Sequence, residues 1–149
     1  MNLSVHSDEH FMQQALQQAQ IAYEKGEVPV GAVVVCKNRI IARAYNQTEL
    51  LADPTAHAEM VALTSATNFL GGKYLNECTL YVTLEPCTMC GGALYWAQLG
   101  KLVYGATDEK RGYKRLNENI LHPKTVTKSG IMNVECKQLL DIFFHNLRD

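Results

Sequence analysis

The chain has no apolar run approaching the 18 or so residues of a membrane-spanning helix, and its opening residues, MNLSVHSDEHF, lack a basic segment followed by an apolar one. These absences argue against a membrane span and a secretory leader, and the expectation is a soluble cytoplasmic protein. Cysteine is scarce. Five residues (Cys36, Cys78, Cys87, Cys90 and Cys136) are an odd number and too sparse for a disulfide-stapled scaffold, which leaves reduced thiols or metal ligands. Internal repeats and low-complexity tracts are also lacking, so neither a repeat array nor a disordered tract is expected. An excess of one charge sign is missing too: the net charge is −1 and the pI about 6.5, which argues against an evenly basic nucleic-acid binder. An average can hide a local field, however. Between Lys101 and Lys128 lie seven basic residues (Lys101, Lys110, Arg111, Lys114, Arg115, Lys124, Lys128) and three acidic ones (Asp108, Glu109, Glu118), so this segment is +4 and the remainder −5.

What is present is an ordinary globular composition, 47% apolar and 19% charged over 149 residues. A chain of that length buries about 70% of its unfolded surface around one core, so a single domain over residues 1–149 is expected. Ser7 can cap a helix whose first turn carries Asp8 and Glu9; Met12, Ala15, Leu16, Ala19, Ala22 and Tyr23 recur at helical spacing until Lys25-Gly26 ends it. The β-branched run VGAVVVC, the turn residues Lys37-Asn38 and the run RIIARAYN read as a hairpin. Pro54 precedes a helix starting near Ala56 or His57 and fading before Gly71-Gly72. The strand CTLYVTL stops at Pro86, which suits the start of a helix running through Cys87 to about Gln98, and KLVYGA is a further strand. Beyond Asp108 comes a loop to Pro123, then a short strand TVTKS and a helix from about Val134 to Asn146. Strands alternating with helices in this order predict an α/β fold, a sheet between two helical layers with some parallel pairing.

Cys87 and Cys90 stand three apart at the start of a helix, where both sulfurs face one side and the helix N-terminus favours thiolates. Upstream, at the start of another helix, lie His57, Ala58 and Glu59. One imidazole and two thiolates form a ligand set of catalytic zinc, with a fourth position left for water. A carboxylate beside that water can carry its proton, and Glu59 is the candidate. Residues i and i+2 diverge by about 200° in a regular helix, so His57 and Glu59 converge only if the backbone there is not yet helical. Two other uses of Cys-x-x-Cys compete. A closed zinc site needs a further ligand, for which Cys36, Cys78 and Cys136 are candidates, and a redox pair needs no upstream His-x-Glu. Cys36 reads as a small buried hydrophobe within its β-branched run, and Tyr95 and Trp96 as packing or dimer contacts.

HAE followed after 26 residues by PCTMC matches the H-x-E…P-C-x-x-C signature of the zinc-dependent cytidine and nucleobase deaminases. EVPVGAVVV, DPTAHAE, TLYVTLEPCTMC and VYGATDEK further resemble the bacterial tRNA-specific adenosine deaminase family, and the likeness runs from the first helix to Phe144. The resemblance implies a three-layer α/β/α cytidine-deaminase-like fold with a mixed, mostly five-stranded sheet, commonly as a homodimer. It implies one zinc ion per chain on His57, Cys87 and Cys90, and Glu59 as the catalytic proton carrier. It also implies a pocket lined by Val28, Pro29, Asn46 and Ala58, with Asp108 near a flanking nucleotide. The expected partner is the tRNA anticodon loop, whose wobble adenosine becomes inosine with release of ammonia. Two stretches depart from the family pattern: the bulky, basic EKRGYKR after Asp108, and FFHNLRD in place of an arginine-rich final helix. The alternatives are a deaminase of free guanine or another nucleobase and, in a different class, a non-catalytic zinc-stabilised RNA-binding module, in which Glu59 would have no purpose.

Overall fold

A computed structural model describes residues 5–148; residues 1–4 and 149, which the single-domain expectation includes, lie outside the described residues. Helix α1 (Asp8–Glu24) is capped by Ser7, whose hydroxyl accepts the His10 N–H at 3.1 Å. The hairpin β1 (Gly31–Cys36) and β2 (Arg39–Tyr45) follows, then α2 (Ala58–Leu70), β3 (Cys78–Leu84), α3 (Thr88–Trp96), β4 (Lys101–Ala106), β5 (Val126–Ser129) and α4 (Asn133–Arg148). The hairpin turns at Lys37 and Asn38, both with positive φ, the left-handed pair that a tight strand connection requires.

The five strands form one mixed sheet in the order β2-β1-β3-β4-β5, with β1 antiparallel to both neighbours and β3, β4 and β5 parallel. The short strand at TVTKS therefore exists, held in parallel register by Lys101 opposite Val126. The run beyond Asp108 is not wholly a loop, since Tyr113–Arg115 makes one 3-10 turn.

The near-continuous apolar sequence of β1 follows from burial on both faces. Ala32 and Val34 pack with Ala58, Ala62 and Ala66 of α2, whereas Val33 and Val35 pack with Met12 and Ala15 of α1 and Cys136 of α4. Gly31 is required by the close approach of α1, because a Cβ there would fall onto the Ala15 carbonyl oxygen and the Ala19 nitrogen. The N-terminus of α1 is tied to the far edge of the sheet through Asp8, which accepts from the Tyr81 hydroxyl at 2.7 Å and from Lys128 Nζ at 2.8 Å, with Lys101 Nζ 4.0 Å away. Burial would raise the Asp8 pKa, but these partners outweigh it and hold the carboxyl below its ordinary value. Two of the seven cations expected to form one basic field, Lys101 and Lys128, are thus engaged by α1. No helix among the described residues is long and apolar enough to cross a membrane.

Candidate active site

The strand order reverses between β1 and β3, and ligand sites of α/β sheets form outside the carboxyl ends of strands at such switch points. The carboxyl end of β3 runs into Glu85, Pro86 and Cys87. Cys87 is the N-cap of α3 and His57 the N-cap of α2; both are extended, and neither side chain caps its helix. Two helix N-termini are therefore presented beside the same side chains, and their partial positive charge favours anionic donors.

His57 Nδ1 lies 3.6 Å from both Cys87 Sγ and Cys90 Sγ, and the three donor atoms fall within 4.8 Å of one another. Between the sulfurs the proton is unequally held. A hydrogen bond from Cys90, with further help from His57, pulls Cys87 down to about 3 despite burial, whereas Cys90 is pushed well above the usual thiol range. The Cys87 sulfur in turn raises the His57 pKa against the opposing effect of burial, with the Glu59 carboxylate and the Pro54 backbone acting in the same direction as the sulfur. Its Nδ1 is the ring atom aimed at both sulfurs. A compact set of one imidazole and two sulfurs suits a soft or borderline cation and does not suit magnesium or calcium.

Glu59 is 4% exposed. Burial pushes its carboxyl up to about 7, while the nearby His57 ring and Cys90 thiol oppose the rise. Its convergence on the cluster, impossible for i and i+2 in mid-helix, follows from His57 standing outside the helix with ψ at 152° and Glu59 standing in its first turn. Cys36, Cys78 and Cys136 do not belong to this group of donors.

Asn46, just beyond β2, is buried; its N–H donates to the Val30 carbonyl at 3.0 Å, and the next residue, Gln47, donates to the Ala56 carbonyl at 2.9 Å. Those bonds bring the end of β2 beside the start of α2. Ala58 is fully buried, Val28 packs against the same cluster, and Pro29 is buried between them in sequence. Asp108 sits on a different segment, and its carboxylate accepts the N–H groups of Lys110 and Arg111 at 3.1 Å each, so it shapes its own turn.

Two buried carboxylates escaped the sequence reading. Glu27 takes N–H bonds from Glu49 at 3.0 Å and Leu50 at 2.6 Å, fixing the loop that follows Asn46. Glu85 takes N–H bonds from Asp108 at 3.1 Å and Lys114 at 2.9 Å, binding the basic loop to the end of β3. A Cβ on Gly112 would strike the Glu85 carboxylate, and Gly112 also bridges to Cys87. The available signal was the charge itself, an acid closing an apolar strand immediately before Pro86 and Cys87.

A mixed five-stranded sheet between two helical layers, with His57, Cys87, Cys90 and a buried Glu59 at the switch point, defines a deaminase of the cytidine-deaminase-like type. The chain belongs to the MafB19-like deaminase family, whose model matches residues 6–148. It is 45% identical over 145 residues to a tRNA-specific adenosine deaminase of Aquifex aeolicus, covering 95% of this chain and 96% of that one. A solved structure from a study of A-to-I editing by tRNA:A34 deaminases at the wobble position superposes with a TM-score of 0.83 at 42% identity, over 88% of this chain and 99% of the other. A guanine deaminase structure from Bacillus subtilis is similar over less: TM-score 0.64 at 39% identity, covering 72% of this chain and 66% of that one.

Proposed function

We propose that the chain is a zinc-dependent hydrolytic deaminase that converts adenosine to inosine in the anticodon loop of tRNA, releasing ammonia. The observation that carries the chemistry is the buried Glu59 carboxyl, in the first turn of α2, beside a three-donor group suited to a soft metal; burial pushes that carboxyl up to about 7. Its likeness to tRNA-specific adenosine deaminases over nearly the whole chain supports the substrate. Zinc held by His57 Nδ1, Cys87 Sγ and Cys90 Sγ would supply Lewis acidity and bring the pKa of a water toward neutrality.

The protein's own groups do the rest. Glu59 accepts one proton from the attacking water and delivers it to the purine ring nitrogen, then carries the remaining hydroxyl proton to the amino group, which departs as ammonia as the carbon–nitrogen bond breaks. A carboxyl near neutrality both takes and returns a proton with little penalty, which suits that double duty. Val28, Pro29, Asn46 and Ala58 wall the base, Ala58 through its backbone, and the 108–115 loop carries the flanking nucleotides. The same reading includes a cytoplasmic homodimer. Its support is the α2–α3 face, where Trp96 is 77% exposed beside a groove of about 480 Å³ lined by Met60, Leu63 and Thr64.

An anticodon loop presents phosphates as well as a base, and each neutralised phosphate makes affinity salt-dependent. With Lys101 and Lys128 drawn to Asp8, five of the seven cations remain, and we assign the task to the four on the loop that Glu85 holds, Lys110, Arg111, Lys114 and Arg115, all exposed; Lys124 lies further along the chain, next to β5. Replacing these four by Ala should flatten the log–log dependence of stem-loop affinity on salt by roughly 0.7 per lost phosphate contact, with zinc content unchanged. An unaltered slope in that variant would remove the loop from the RNA interface.

A further inference from the structure

At the end of the sheet opposite the active site, β1 finishes at Cys36 and β3 begins at Cys78, and the two are direct partners in the antiparallel register. Side chains directly opposite on antiparallel strands project from one face with Cβ atoms about 4.5–5.5 Å apart, and the near end of that range meets the upper limit of about 4.5 Å that a disulfide spans, so closure draws the two strand ends slightly together. Their backbones stand about 4.5–5.5 Å apart at Cα, inside the range of about 4.4–6.8 Å that a disulfide spans. Both residues are free cysteines, and both line a cavity of about 260 Å³ shared with Ile41, Phe69, Lys37 and Arg39. Contrary to the expectation of a buried hydrophobe, Cys36 is only half-buried, whereas Cys78 is 2% exposed. Burial, with the Cys36 thiol beside it, pushes Cys78 up to about 12, which makes Cys78 the slower nucleophile of the two. The accessible member of the pair is therefore the one that meets a reagent first.

We propose that Cys36 and Cys78 form a thiol modification site, distinct from the metal ligands, that reacts with small anionic disulfides and closes into a cross-strand disulfide. Lys37 and Arg39, exposed at the cavity, outnumber the one carboxylate that lines it, Glu77, and supply the attraction for an anionic reagent. The Cys36 thiol loses its proton and its sulfur attacks one sulfur of the reagent; the reagent's S–S bond breaks, and one small thiol leaves carrying a proton. Cys78 then loses its proton and attacks the Cys36 sulfur, expelling the second small thiol. Two cysteine thiols are oxidised and one small disulfide is reduced to two thiols.

The test is incubation of the full-length, zinc-loaded protein with oxidised glutathione, followed by alkylation of remaining thiols and mass spectrometry of the unreduced digest. The expected sequence is a transient glutathione adduct on Cys36, then a cross-linked Cys36–Cys78 peptide two hydrogens lighter than its parts. Cys78→Ser should trap the adduct on Cys36, and Cys36→Ser should abolish it, with zinc retained throughout. The proposal is overturned if wild-type Cys78 stays free while Cys36 carries a lasting adduct, if Cys36 is not modified, or if the only disulfide formed joins Cys87 to Cys90.

Discussion

Glu59 has two neighbours that pull in opposite directions: apolar burial keeps it protonated, and the His57 ring favours its charge. On the proposed reading Glu59 carries protons, so its removal should separate chemistry from structure. Glu59→Ala is expected to keep metal content and thermal midpoint while lowering turnover by about 10²–10⁴-fold, since positioned acid–base groups contribute that much. A rate close to wild type in the metal-loaded variant would dismiss Glu59 as the proton carrier. At this scale the sequence was informative where residue type and spacing suffice. His57, Glu59, Cys87 and Cys90 could be read together because two helix starts bring them together. Glu27 and Glu85 could not, because the meaning of a buried carboxylate lies in its donors, and Leu50 and Lys114 stand 23 and 29 residues away. Nor could the assignment of Lys101 and Lys128 to Asp8, an alliance across 93 and 120 positions that only the sheet creates.

Among the elements, α1, the β1–β2 hairpin and the β3-α3-β4 unit were all legible from apolar periodicity and from the punctuation of Gly26, Lys37-Asn38 and Pro86. Sequence alone left open how the 107–125 segment docks. Its path is set by the Glu85 carboxylate, by the Tyr113 N–H bond to the Pro86 carbonyl at 2.9 Å and by the bridge between Gly112 and Cys87. This coupling makes the basic loop an extension of the strand that delivers Cys87. Glu85→Gln keeps the shape but replaces one accepting oxygen by a donating amide, leaving one backbone N–H without its partner at a cost of about 1–3 kcal/mol. The variant should therefore show a lowered thermal midpoint and weakened stem-loop binding, with zinc content intact. Stem-loop affinity equal to wild type in a folded variant would show that the loop's position does not depend on Glu85.

For the molecule as a whole, the sheet separates two chemistries. The carboxyl end of β3 gathers the His57, Cys87 and Cys90 group that could hold a metal, Glu59 and the basic loop, while the opposite end holds the Cys36–Cys78 pair. The α/β/α architecture and the metal group are shared by deaminases of free bases and of RNA, so the substrate is decided by what surrounds the common centre. A free base needs only a closed pocket, whereas an anticodon loop needs charge beside the common centre, and on the proposed reading the Glu85-anchored segment supplies it. The most direct measurement is the ratio of kcat/KM for ammonia release from an adenosine-containing anticodon stem-loop to that from guanine, determined on one preparation of zinc-loaded protein. The account predicts a large ratio, with inosine appearing at the wobble position of the stem-loop and little turnover of guanine. Rapid deamination of guanine with neither inosine formation nor stem-loop binding at low salt would contradict it.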